Sequence, residues 1–209
     1  MSIYIQAKTM TKRVFLPLII ATLVCSGFHN VEARPPKRRI STIKPIITQP
    51  IKSEWNLFTA PDGSFSVLMP GTPEIITQTQ KTFMGEIDLQ LFVGKSANQE
   101  VAYIVTYNEF PYSYGELTNP QAILSNARDM ALKTTKSKLI RQRPIRSSNG
   151  HPGKEIEYIN AGGKITKNRM YVAEGRLYQV MVITTKKQRH TLSKTLNGYL
   201  NSFQVVLKR

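Results

Sequence analysis

Three strand-like runs, 154–161, 164–173 and 176–185, are separated only by Gly162-Gly163 and Glu174-Gly175. A parallel neighbour needs a crossover of about a dozen residues or more, so runs this close must fold back as an antiparallel meander. In the last run Leu177, Met181 and Ile183 alternate with Tyr178, Val180 and Val182. Both faces are apolar, which places that strand in the middle of a sheet covered on both sides. Residues 101–110 read the same way, with Tyr103, Val105 and Tyr107 opposite Ala102 and Ile104.

The remaining runs fill out that sheet. Residues 74–83 and 86–94 form a hairpin about Met84-Gly85; Ile87, Leu89, Leu91 and Val93 share one face of its second strand. Its first strand is rich in Thr and Gln, as suits an edge, and 139–147 is an edge because Pro144 interrupts it. From Trp55 to Pro73 a turn at Asp62-Gly63 precedes the alternation of Phe65, Val67 and Met69, which Pro70-Gly71 ends. Trp55, the sole tryptophan, is expected to anchor the core. Asn119-Pro120 starts a helix reaching about Lys136, with Ile123, Ala127, Met130 and Ala131 on one face. A final helix over about 187–201 turns Leu192, Leu196, Tyr199 and Leu200 inward, and 203–207 leaves it as a strand. The expected class is α+β, an antiparallel sheet layered with two helices.

Trp55, Phe58, Asp62-Gly63, Phe65-Ser66-Val67, Pro70-Gly71 and Pro73 resemble the opening of the PsbP-like fold of extrinsic photosystem proteins and secreted bacterial relatives. Pro152-Gly153-Lys154-Glu155, Arg176-Leu177-Tyr178 and Leu200-Asn201-Ser202-Phe203 resemble that group's later signposts. The resemblance covers 55–209 and implies an α/β/α sandwich and a role as an extracytoplasmic binding or assembly factor. It implies no chemistry, and no ligand cluster here matches the metal sites of the plant proteins.

Upstream of that domain, 54–209, the chain reads as address and tether. Lys12 and Arg13 precede a run from Val14 to Cys25 in which only Pro17 and Thr22 are not apolar. That is shorter than the roughly 20 residues of a membrane span and fits a signal-peptide core. Val31-Glu32-Ala33 supplies the small cleavage edge, so 1–33 is read as signal peptide. Val24 stands where lipid attachment at Cys25 would want a small residue. Residues 34–53 carry prolines at 35, 36, 45 and 50 and six Lys or Arg without an acid, a semi-rigid basic linker. The expected location is extracytoplasmic: periplasm, thylakoid lumen or secreted.

Catalytic motifs are wanting. There is no Gly-x-Ser-x-Gly elbow, and Gly94-Lys95-Ser96 lacks the earlier glycine of a phosphate loop. His29 leaves with the signal peptide, His151 sits in a turn, and His190 has no partner at ligand spacing. Glu155 and Glu157 share a strand face and read as solvent-exposed charge. Cys25, the only cysteine, lies in the expected signal peptide, and nothing downstream can form a disulfide, so no disulfide-linked partner is expected. Neither a metal nor a cofactor is expected.

Charge is the stronger signal. Residues 54–127 hold two Lys and eight acids, a net of −6, whereas 128–209 hold eighteen Lys or Arg and four acids, a net of +14. Lys133, Lys136, Lys138, Arg141, Arg143 and Arg146 fall within fourteen residues without an acid, and Lys186, Lys187 and Arg189 begin the last helix. These nine are the candidate anion- or partner-binding residues. The expected function is a non-enzymatic binding or assembly module whose basic face meets an anionic protein complex or membrane surface. The alternative is an extracytoplasmic enzyme with an unrecognised site. Nucleic acid is disfavoured by export and by the missing aromatic signature of RNA-binding sheets. Mass spectrometry of the exported protein should find Arg34 at the mature N-terminus; an intact N-terminus or a lipid on Cys25 would refute the cleavage.

Overall fold

The computed structural model describes residues 55–82, 85–96, 101–110 and 119–206. The expected signal peptide and linker, with Cys25 and His29, lie outside the described residues. The strands are β1 (Trp55–Thr59), β2 (Phe65–Pro70), β3 (Glu74–Thr82), β4 (Gly85–Lys95), β5 (Ala102–Glu109), β6 (Lys138–Arg146), β7 (Pro152–Ile159), β8 (Ile165–Ala173), β9 (Arg176–Thr184) and β10 (Gln204–Val205). Helix α1 spans Pro120–Thr134, α2 Lys186–Thr191 and α3 Ser193–Ser202.

Seven strands form one antiparallel sheet in the order β3-β4-β5-β9-β8-β7-β6. As their two apolar faces require, β5 and β9 are central, and the Thr/Gln-rich β3 and the Pro144-bearing β6 are edges. The β8–β9 turn places Glu174 at φ 49 and Gly175 at φ 71, the two positive values that match the twist of a two-residue hairpin. A second sheet, β1-β2-β10, was not foreseen as separate: β10 pairs with β2 through Val205↔Phe65, joining the two ends of the domain. The last helix is also a correction, being two helices broken at Leu192 rather than one.

The sheet is covered on both faces. On one, Tyr178, Val180 and Val182 of β9 pack with Tyr103, Val105 and Tyr107 of β5 beneath α3 (Leu196, Tyr199, Leu200) and the small sheet. Phe65 is the junction, its ring centroid 5.2 Å from Phe92 and 5.5 Å from Phe203. Trp55 is half-buried at that cluster's margin, edge-on to Tyr103 at 5.0 Å. On the other face α1 seats Ile123, Leu124, Ala127 and Ala131 on Ile156, Met170, Val172 and Leu177. The Asn119 side chain caps α1 by accepting from the Gln121 amide at 2.8 Å, with Pro120 at the first helical position. Leu124 is fully buried where Met130 was expected, and Met130 is half-buried. Both-face burial of β5 is not purely apolar: Thr106 and Asn108 are buried beside Gln179, which accepts from Asn168 at 2.9 Å.

Gly153 in β7 lies against β8. A Cβ there would stand 2.6 Å from the Met170 carbonyl oxygen and 2.7 Å from a Tyr171 ring carbon. In α3, a Cβ on Gly198 would meet nothing. Opposite signs are therefore expected in urea unfolding. Gly153→Ala should cost about 1–3 kcal/mol by overpacking, and Gly198→Ala should gain about 0.5–1 kcal/mol from helix propensity. Equal effects would contradict the close β7–β8 approach.

Candidate functional site

The nine basic candidates fall on one edge and one end of the large sheet. Lys133 is in the last turn of α1, where a cation complements the helix dipole. Lys136 follows with φ 48. Lys138, Arg141, Arg143 and Arg146 lie exposed along the edge strand β6. The register Lys138↔Ile159, Ile159↔Ile165, Ile165↔Thr184 sets Lys138 at the same end of the sheet as the exposed Lys186 and Lys187. Arg146 is turned to its own hairpin, donating from Nη1 to the Gly150 carbonyl at 2.7 Å.

What draws the arginines together overturns the reading of Glu155 and Glu157 as exposed charge. They do share a strand face, but it is the one covered by α2 and α3, and they are 4% and 2% exposed. Two cross-strand rows result, Arg143↔Glu155↔Arg169 and Arg141↔Glu157↔Lys167. Glu157 accepts from Arg141 Nε at 2.5 Å, and its other oxygen meets Arg189 Nε at 2.6 Å. Glu155 accepts from Arg143 Nε at 3.0 Å and from Arg169 Nε at 2.7 Å, with Lys167 Nζ at 3.7 Å. Arg169 also donates from Nη1 to the Leu200 carbonyl at 3.0 Å and Asn201 Oδ1 at 2.8 Å, so a cation caps the C-terminal turn of α3.

Two buried carboxylates thus hold five cations (Arg141, Arg143, Lys167, Arg169, Arg189), a surplus of three positive charges. Buried carboxylates are tolerable only when paired and hydrogen-bonded. Burial pushes the Glu155 carboxyl up, but hydrogen bonds from Arg143 and Arg169 and the charges of Lys167 and Arg169 outweigh it and hold it at about 2. Burial lowers Lys167, as do the charges of Arg169 and Arg141, against the pull of Glu155. Lys167 and Arg169 were missed as site residues. The signal was present: β6, β7 and β8 each carry a charged pair two residues apart, Arg141/Arg143, Glu155/Glu157 and Lys167/Arg169.

The helix-terminus reading of Lys186 and Lys187 changes too. In α2 the Thr185 hydroxyl accepts from the Gln188 amide at 3.2 Å, and the Gln188 side chain accepts from the Thr185 amide at 2.9 Å. That reciprocal box uses donors otherwise open to an anion, on a helix of six residues. The two lysines act as exposed charge only.

At the other end of β9, Asp62, Glu86, Asp88, Glu109, Tyr107 and Arg176 line a cleft of about 530 Å³. Arg176 donates to Asp62 at 2.7 Å, pairs with Glu109, and lies 4.9 Å over the Tyr107 ring, whose hydroxyl donates to Asp62 at 3.0 Å. Burial raises Asp62, but bonds from Ser64, Arg176 and Tyr107 bring it to about 2. The acidic and basic halves of the sequence therefore become an acidic cleft and a basic face set apart on one body. Among the described residues no group of three His, Cys, Asp or Glu could hold a metal ion. No described helix is long and apolar enough to cross a membrane.

A solution structure of cyanobacterial PsbP (CyanoP) from Synechocystis sp. PCC 6803 matches with a TM-score of 0.53 at 11% identity, over 74% of this chain and 94% of that one. The fold is PsbP-like. At that identity the likeness is one of fold. A Pseudomonas aeruginosa protein of unknown function, PA94, matches at a TM-score of 0.35 and 11% identity over 74% of this chain and 97% of that one, too distant to carry an argument. No protein-family model matches the chain, and no curated protein sequence does. The PsbP-like sandwich is where the short turn and core signposts pointed. Gly153 of the Pro152-Gly153-Lys154-Glu155 signpost allows the close β7–β8 approach, and Glu155 is a buried carboxylate of the ladder.

The ladder makes acid sensitivity predictable. The Glu155 carboxyl ordinarily titrates near 4.5 and is held at about 2 in the folded chain, so the unfolded chain protonates first on acidification. Its stabilisation is complete above about 4.5 and lost as pH falls toward about 2. Glu155→Gln removes the charge that Arg143, Arg169 and Lys167 share and should cost about 1.5–3 kcal/mol at neutral pH. Denaturant unfolding from pH 7 downward should then give a shallower acid-side slope for the variant; equal slopes would mean Glu155 is not depressed.

Proposed function

We propose that this protein is an exported, non-catalytic binding or assembly module that meets an anionic protein complex or membrane surface with its cationic face. One observation carries the reading: five cations of the second half gather at one edge of the sheet around two carboxylates that they outnumber. Such a face raises association rates by long-range attraction and orients the encounter. The expected signal peptide and the fold shared with CyanoP support an extracytoplasmic setting, periplasm or thylakoid lumen. The acidic cleft is a cavity in which the enzyme alternative would reside. Its Asp62, Arg176 and Tyr107 are tied to one another, which favours a structural role for them.

Lys138, Lys186 and Lys187 are exposed and no described carboxylate pairs with them. Exchanging all three for Glu should slow association with anionic vesicles or with the native membrane fraction by about tenfold or more at low salt. The loss should shrink as salt rises past about 0.15 M and screening sets in. Stopped-flow association with wild type and variant checks this; equal low-salt rates would remove the cationic face from the mechanism.

A further inference from the structure

Arg141 and Arg143 use their guanidinium groups differently from the other arginines of the ladder. Arg169 spends Nε on Glu155 and Nη1 on α3. Arg189 spends Nε and Nη2 on Glu157. Arg141 and Arg143 each spend only Nε, on Glu157 and Glu155 respectively, and hydrogen-bond no terminal nitrogen to any described residue. Their side chains are 58% and 60% exposed while the carboxylates behind them are 2% and 5% exposed. Buried acceptors thus fix the inner edge of each guanidinium, and the outer edge with its remaining N–H donors faces solvent.

Two residues apart on one strand face, these groups are spaced by about 7 Å. Flanking forks at that separation match an oxyanion with several terminal oxygens, which planar guanidinium groups bind in parallel N–H···O pairs. The surplus of three positive charges in the ladder calls for a counter-anion at its open side.

We infer that Arg141 and Arg143 form a binding site for a phosphate oxyanion with free terminal oxygens, with Glu155 and Glu157 as positioning residues. The site lies on the cationic face, and its assignment rests on the proposed reading of that face. Free phosphate and a lipid phosphomonoester headgroup present the same chemistry.

The test titrates the full chain with inorganic phosphate at constant ionic strength, following the arginine side-chain NMR signals. In parallel, association is measured with phosphatidylcholine vesicles carrying phosphatidic acid or, at matched surface charge, phosphatidylglycerol. Saturable shifts at Arg141 and Arg143, absent at Arg146, are expected. The double variant Arg141→Lys, Arg143→Lys keeps the charge and can still pair both carboxylates but loses the forks. It should bind phosphate about tenfold or more weakly, the factor for losing a charge-assisted hydrogen bond. Where the wild type prefers phosphatidic acid vesicles, this variant should lose that preference. A preference for phosphatidic acid identifies the lipid as source; saturable phosphate binding without vesicle association identifies free phosphate, and fails the membrane form of the proposed function while the site stands. No saturable shift in wild type, or equal phosphate affinity in a folded double variant, overturns the site and leaves the broader electrostatic reading intact.

Discussion

A sheet whose central strands are apolar on both sides has two faces to keep dry, and the rest of this molecule follows from that. Tyr178, Val180 and Val182 of β9 point one way, and Leu177 and Met181 the other. One side is closed by α1. The opposite side is closed by elements from both ends of the domain, since β1 and β2 come before the large sheet in sequence and α3 and β10 after it. Phe65 is where they meet, in contact with Phe92 of the sheet and with Phe203 between α3 and β10. Removing either end of the domain would therefore open the same cluster.

The aromatic cover does not extend to the β6 edge. There the sheet face covered by α2 and α3 carries charge where it could have carried Leu or Val. Glu155 and Glu157 are as buried as core residues, and they are bearable because cations approach from both neighbouring strands and from α2. The ladder ties α2 and α3 to the sheet while leaving an excess of positive charge at the surface. Stability and the proposed contact with anions thus share residues. Arg169 and Arg189 are mainly internal braces; Arg141 and Arg143 face outward as well. The exposed lysines at the strand end, Lys138, Lys186 and Lys187, pair with no described carboxylate.

The edges and centre of the large sheet could be read from the chain because each rests on a few neighbouring residues. Two apolar faces placed β5 and β9 inside, Pro144 and the Thr/Gln content placed β6 and β3 at the edges, and Asn119-Pro120 marked the start of α1. The excess of Lys and Arg after residue 128 was equally plain. Tertiary structure alone decided where those charges ended. Whether Glu157 faces water or protein depends on α2 folding back to bring Arg189 onto it, 32 positions away, and a strand's period says only that Glu155 and Glu157 share a face. The pairing of Asp62 with Arg176 spans 114 positions and the β2–β10 pairing joins opposite ends of the domain. Local periodicity sets which side chains lie together; burial and charge pairing are set by what the rest of the chain lays over them.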